Sequence, residues 1–369
     1  MRALCVGSAM VDIITIVASR DVERLTMHNA TASYLLLEQG RKIESESIST
    51  HIGGGAVNAA VAMARMDVDV SALIKIGSDA NGAQIIDRLA HEGVDDSLAL
   101  RTSELPTGTA VMVSSHNRNA TIFTQRGTNT LLRPADLTPE MFEGRDLVYV
   151  TNLSNRSADC FPIVVDMGRE AGAFVAANPG IRQLTSRTAV FLQTLKNIDL
   201  LAINRVEAEA LVPVIAALDD VESVNDDNLI EDGVPPLMRL GLACGGFDLA
   251  LAEFFARVRR YGVSNVVVTD GTDGAYLAND TGVHFCPSMT AEPKGTAGAG
   301  DAFTSTLCTH LAAGEGPDVA LRAAAVNAAA VVEEVDTQSG LLSRDALRRR
   351  IEDSIDHLPV TTWTWDDLA

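Results

Sequence analysis

Lys294-Gly-Thr-Ala-Gly-Ala-Gly-Asp-Ala-Phe303, running straight into the helical pattern Thr304–Ala313, decides how this chain is read. Gly298, Ala299 and Gly300 have little or no side chain, so a ligand can come close to the backbone there. Their amides stand at the start of a helix, where N–H groups without an intrahelical partner and the helix dipole favour anionic oxygen. Into this anion hole the sequence places an acid, Asp301. A carboxylate beside a bound phosphate is repelled, and deprotonating an attacking hydroxyl is a chemical reason to keep it there. Taken alone, Asp301 reads equally well as a helix N-cap. The glycine spacing is neither a Gly-Lys-Ser/Thr phosphate loop nor Gly-x-Gly-x-x-Gly.

Working outward, strands and helices alternate along most of the chain. Arg2–Ser8 is an apolar strand ending at a glycine turn, and Val11–Val17 is a second, β-branched run. Tyr34–Leu37 and Ile43–Ile48 look like strands with one polar face, and Ala56–Met66 is an alanine-rich amphipathic helix. Ser71–Ile76 reads as a strand, Ala80–His91 as a helix, and Thr109–Ser114 with Ala120–Gln125 as a hairpin about Asn117. Asp146–Val150, Ala173–Ala177, Ile198–Ile203 and Asn265–Thr269 are further strands, with a mostly helical pattern from Ala299 onward. Such alternation predicts an α/β fold with a central, mainly parallel sheet covered by helices on both faces. Residues 217–236 break the pattern with a cluster of acids closed by Pro235-Pro236, read as a solvated acidic insertion.

Thr296-Ala-Gly-Ala-Gly-Asp-Ala-Phe303 resembles the C-terminal signature of the ribokinase-like (PfkB) carbohydrate kinases. Four other segments follow in that family's order. Gly7-Ser-Ala-Met-Val-Asp12 resembles its first strand and turn, and Gly53-Gly-Gly-Ala-Val-Asn58 its N-terminal sugar-binding signature. Asn204-Arg-Val-Glu207 resembles its Asn-x-x-Glu motif, and Val266-Val-Val-Thr-Asp-Gly271 with Gly274 its nucleotide-side strand and turn. The resemblance spans Gly7 to about Gly340. It implies a ribokinase-like fold with a small β lid over the α/β core. The core would comprise 1–18, 52–106 and 127–369, and the lid 19–51 and 107–126, which in the family often forms a dimer clasp; a homodimer is expected.

The implied chemistry is transfer of the γ-phosphate of ATP to a hydroxyl of a sugar or sugar-like molecule. Asp301 would be the general base and the amides of Gly298, Ala299 and Gly300 the anion hole. Asp12, Gly53, Gly54, Gly55 and Asn58 would hold the substrate. Asn204, Thr269, Gly271, Gly274 and Asn327 would face ATP, and Glu207 would reach Mg2+ through water. Each also has a plainer reading: Asp12 as a turn acid, Asn204 and Glu207 as a helix-capping pair, Thr269–Gly274 as a strand end, Asn327 as helix packing. Gly295 stands where the family often has an acid that helps hold a monovalent cation, so activation by potassium is in doubt. Gly55 stands where ribokinases proper carry a lysine, so ribose itself is the less secure substrate.

Composition narrows the alternatives. A formal net charge of −20 argues against nucleic acid and anionic membrane surfaces as partners. Five scattered cysteines and seven histidines show neither a disulfide framework nor a metal-ligand spacing. Asp12 interrupts the apolar N-terminus, and no apolar run is long enough to span a bilayer, so a soluble, cytoplasmic protein is expected. A nucleoside kinase of the same superfamily is the nearest alternative, though aromatics are only 4% of the chain to stack on a base. A non-catalytic sensor would have no need of Asp301, and a dinucleotide-dependent dehydrogenase would carry Gly-x-Gly-x-x-Gly after the first strand.

Overall fold

The computed structural model describes residues 1–17, 23–26, 33–36, 40, 42–115, 120–217 and 234–368. Asn117 and residues 218–233 of the acidic insertion lie outside them.

The nine-stranded sheet follows from β-branched and aliphatic runs that are buried on both faces except at its edge strand Thr361–Thr364. Its order is Thr361–Thr364, Gly282–Cys286, Ala275–Ala278, Asn265–Thr269, Leu200–Asn204, Phe174–Ala177, Leu147–Val150, Arg2–Val6, Asp69–Leu73. From Asp69–Leu73 to Asn265–Thr269 every pairing is parallel, and the last three strands join antiparallel. Successive side chains of a strand point to opposite faces. Leu4 and Val6 accordingly enter one apolar core while Ala3 and Cys5 enter the other; Val148 and Val150 divide from Leu147 and Tyr149 in the same way. The sheet is therefore a shared wall between two helix-covered cores, as the strand–helix alternation predicts.

Two strands differ from the sequence expectation. Ser71–Ile76 is broken at Ile74: Asp69–Leu73 stays in the large sheet, while Lys75–Gly77 pairs with Leu100–Thr102. The C-terminal region is not purely helical, because Thr361-Thr-Trp-Thr364 adds the edge strand beside Gly282–Cys286. Its β-branched and aromatic residues carry that signal.

A smaller sheet has the order Ala120–Gln125, Gly108–Ser115, Met10–Val17, Ser45–Gly53. Met10–Val17 runs parallel to Gly108–Ser115 and antiparallel to Ser45–Gly53. Residues 1–17 are thus divided between the two sheets, with the change at Ser8–Ala9. Asn129 fixes this junction: its Oδ1 accepts from Ala9 N and its Nδ2 donates to Ala9 O, both at 2.9 Å. Among the described residues, no helix is long and apolar enough to cross a membrane.

Candidate active site

Helix Gly55–Arg65 packs beside helix Ala299–Ala312. Small residues make the approach close: Ala56, Ala59, Ala60 and Ala62 on one helix and Ala302, Ser305 and Thr306 on the other are buried. This packing brings together two motifs 243 residues apart, and Asn58 Nδ2 donates to Asp301 Oδ2 at 2.8 Å.

Asp301 does not cap its helix. The N-cap position is Gly298, in the left-handed region at φ 82°, and no side chain caps the first turn. The amides of that turn are therefore without a capping acceptor, as an anion hole requires. A Cβ on Gly298 would lie 2.7 Å from Thr337 Cβ, whereas a Cβ on the exposed Gly300 would meet no atom within 4 Å. Packing dictates glycine at 298; at 300 the space is simply left open. Burial raises the Asp301 carboxyl above the ordinary range, and the Asn58 hydrogen bond opposes this.

Two residues that the sequence does not single out complete the arrangement. Thr337 Oγ1 and Gln338 Nε2 both donate to Asn58 Oδ1, at 2.9 and 3.0 Å. Arg88 Nε donates to Gln338 Oε1 at 3.0 Å, and Arg65 Nη1 donates to the Gln338 carbonyl at 2.8 Å. With two donors on its oxygen, the Asn58 amide has one orientation, nitrogen toward Asp301. Asp336 holds the turn that delivers these side chains by accepting from the amides of Gln338 and Ser339. No short motif marks 336–339, so only the fold reveals their role.

On the substrate side, strand pairing sets Met10 opposite Gly53 and Asp12 opposite His51. A Cβ on Gly53 would overlap the Asp12 carboxylate, so glycine leaves room for it. Gly54 (φ 98°) has the backbone of Ser8 and Ala9 within 2.9 Å of a would-be Cβ, and Gly55 N donates to Ser8 Oγ at 3.0 Å. The turn after the first strand and the glycine triplet are thus one unit. Burial, and then the charge of Asp301, raise the Asp12 carboxyl from 3.8 to about 6. Two carboxylates near enough for one to disfavour the other's charge suit a ligand rich in hydroxyl donors.

Between about pH 4 and 6 the folded chain holds a proton on Asp12 that the unfolded chain has released. Stability from this group is therefore greatest below pH 4 and is lost as pH rises through about 6. Asp12→Asn is expected to flatten this dependence and to raise stability at pH 7 by on the order of 1–3 kcal/mol in denaturant titrations. A variant equal to or weaker than wild type at pH 7 would contradict it.

The nucleotide-side motifs also converge. Asn204 and Thr269 are register partners on adjacent parallel strands, at the strands' C-terminal ends, where ligands of open α/β sheets bind. Asn204 Oδ1 accepts from Glu207 N, and Glu207 Oε2 accepts from Asn204 N, both at 3.0 Å. The capping reading of this pair therefore holds whatever else it does. Glu207 Oε1 has no protein partner among the described residues, and burial raises the carboxyl. The turn of Gly271 (φ 56°) and Gly274 (φ 101°) is closed by Asp270 N donating to Gly274 O at 2.8 Å. Arg205 links the two motifs, 3.4 Å from Asp270 and 2.9 Å from Glu209.

The plainer reading of Asn327, helix packing, fits its surroundings. It is fully buried, its Nδ2 donates to Thr306 Oγ1 at 2.8 Å, and its Oδ1 accepts from Leu342 N at 3.0 Å. Both ends of the amide pin its helix to the neighbouring helix and to the following loop.

A family model for the pfkB family carbohydrate kinases matches residues 2–226 and 249–344. The chain belongs to this carbohydrate kinase family. A deoxyribokinase from Salmonella typhi is 22% identical over 327 residues, covering 88% of this chain and 94% of its own. An ATP-dependent ribose-1-phosphate kinase from Halopiger xanaduensis is 25% identical over 264 residues, covering 71% and 74%. The ribokinase of Arabidopsis thaliana, solved with ribose and ATP, superposes with a TM-score of 0.69 at 20% identity, covering 95% of this chain and 98% of that one. The fold is therefore ribokinase-like, and as a family member the chain is a phosphotransferase acting on an alcohol group.

Proposed function

We propose that this kinase transfers the γ-phosphate of ATP to a hydroxyl of a sugar or sugar-like molecule, with Asp301 as general base. The observation that carries the reading is the Asp301–Asn58 hydrogen bond above an uncapped helix N-terminus. One group then takes a proton from an acceptor hydroxyl while the adjacent amides of Gly298, Ala299 and Gly300 receive the charge developing on the transferred phosphoryl group. Asp12 and Asn58 would orient the acceptor, with Gly53–Gly55 allowing the backbone to come close.

ATP would lie over Asn204, Thr269, Gly271 and Gly274. Among the described residues no three acids, cysteines or histidines cluster to hold a metal. Glu207, with one carboxylate oxygen bound to its own helix cap, fits a water-mediated role toward Mg2+ that the nucleotide's phosphates ligate. When bound, that ion would neutralise phosphate charge.

Exposed Ile48, Ile122 and Phe123 on the small sheet support its use as a dimer clasp. Cysteines that are all free, four of them buried, fit the cytoplasm.

The test is ADP formation with ATP and Mg2+ across neutral sugars, sugar phosphates, sugar acids and nucleosides; the Halopiger relative's name brings phosphorylated sugars into that panel. Turnover of one sugar class is expected. ATP binding without turnover of any acceptor, or turnover of nucleosides alone, would refute the sugar assignment.

A further inference from the structure

The chain has 49 acids against 29 lysines and arginines, so an anionic acceptor would approach against a repulsive field and need local cations. Three arginines gather on one loop. Residues 151–157 leave the C-terminal end of strand Leu147–Val150. The loop begins against the substrate-side glycines: a Cβ on Gly55 would lie 2.9 Å from Thr151 Oγ1. Arg126, directly after small-sheet strand Ala120–Gln125, donates Nη1 to Ser154 Oγ at 2.7 Å. Arg182 donates Nη1 to Asn155 Oδ1 at 3.0 Å. Arg156 lies next along the loop, exposed, and makes no hydrogen bond or ion pair among the described residues. None of the three meets a carboxylate there; their neighbour Arg187 pairs with Asp159 at 2.9 Å and is thereby neutralised.

A second observation points the same way. Among the described residues, Thr128 Oγ1, Thr151 Oγ1 and both polar side-chain atoms of Gln183 are buried without a hydrogen-bond partner. Thr128 follows Arg126 by two positions, Thr151 opens the loop, and Gln183 adjoins Arg182. Such atoms are normally satisfied by protein or water, and each of these opens loop 151–157 or stands in the chain near a residue that touches it. Guanidinium groups bound only to neutral oxygens keep N–H donors for an oxyanion, whose geometry they match in pairs.

We propose that Arg126, Arg156 and Arg182 around loop 151–157 form an anion subsite for the acceptor. The acceptor is then a sugar bearing a phosphate or carboxylate remote from the hydroxyl that is phosphorylated. This rests on the kinase reading above. The acceptor oxygen bonds to the γ-phosphorus, the bond from that phosphorus to the β–γ bridging oxygen breaks, and the hydroxyl proton passes to Asp301. The products are ADP and a sugar carrying one more phosphoryl group.

The experiment is steady-state kinetics on the full chain with matched neutral sugars, sugar monophosphates and sugar acids, for wild type, Arg126→Gln, Arg156→Gln and Arg182→Gln. An anionic sugar is expected to exceed its neutral counterpart about 100-fold in kcat/KM, and the better arm tells phosphate from carboxylate. Arg126→Gln and Arg182→Gln should each raise the acceptor KM about 10-fold or more, with KM for ATP unchanged. Preference for a neutral acceptor, or unchanged acceptor KM in all three variants, overturns the subsite. If no acceptor yields ADP, calorimetry with a pentose monophosphate separates the two readings. Binding by wild type that is lost in the Arg126→Gln/Arg182→Gln double variant keeps the subsite while the kinase reading falls; no binding at millimolar concentration removes the subsite.

Discussion

Asp301→Asn is expected to lower kcat by about 100-fold or more while leaving ATP affinity within a few-fold of wild type. Asparagine keeps the shape of the side chain and can still accept from Asn58 Nδ2, which Asp301 Oδ2 does now at 2.8 Å. What it lacks is basicity. Because the buried carboxylate is disfavoured in its charged form, its removal should also leave the folded chain at least as stable as wild type at neutral pH. Lost activity with undiminished stability separates a base from a structural acid. For the same reason the wild-type rate should fall as pH drops through a carboxyl group titrating above the usual range. Equal turnover by variant and wild type would leave Asp301 a spectator, and a large drop in melting temperature would make it a structural residue.

The five motifs that the sequence sets far apart meet in two groups, Gly7–Asp12 with Gly53–Asn58 and Asp301, and Asn204–Glu207 with Thr269–Gly274. Parallel strand order sets both along one side of the sheet. Ordering Arg2–Val6, Leu200–Asn204 and Asn265–Thr269 in one direction puts the residues that follow them at one sheet edge. The same reading could not distinguish residues that carry a motif from residues that merely neighbour one. Asn327 reads from the sequence as either an adenine-edge amide or a packing residue, and the structure shows the packing bonds to Thr306 and Leu342 that no spacing encodes. Thr337 and Gln338 are invisible for the same reason. Their importance lies in contacts with Asn58, 279 and 280 positions away, and no local spacing encodes such a contact. The edge strand Thr361–Thr364 is missed because its short β-branched run follows a long helical stretch.

The glycines of the anion hole allow a sharper separation of packing from chemistry. Gly298→Ala places a Cβ 2.7 Å from Thr337 Cβ, on a backbone at φ 82° that costs a non-glycine residue about 1–2 kcal/mol. Thr337 must yield, and with it one of the two donors that orient Asn58. Stability should fall by about 1–3 kcal/mol and kcat by about 10–100-fold together. Gly300→Ala is expected to behave in the opposite sense for stability. The added methyl meets no protein atom within 4 Å, and alanine in a helix's first turns is favoured over glycine by about 0.5–1 kcal/mol. The folded protein should therefore be slightly more stable, yet the methyl occupies the space in which a phosphoryl oxygen would reach the helix amides. A catalytic loss of about 10-fold or more with a raised melting temperature would show that position 300 is kept open for a ligand at some expense in stability. Full activity in Gly300→Ala would mean that the transferred phosphate does not pass over this helix end.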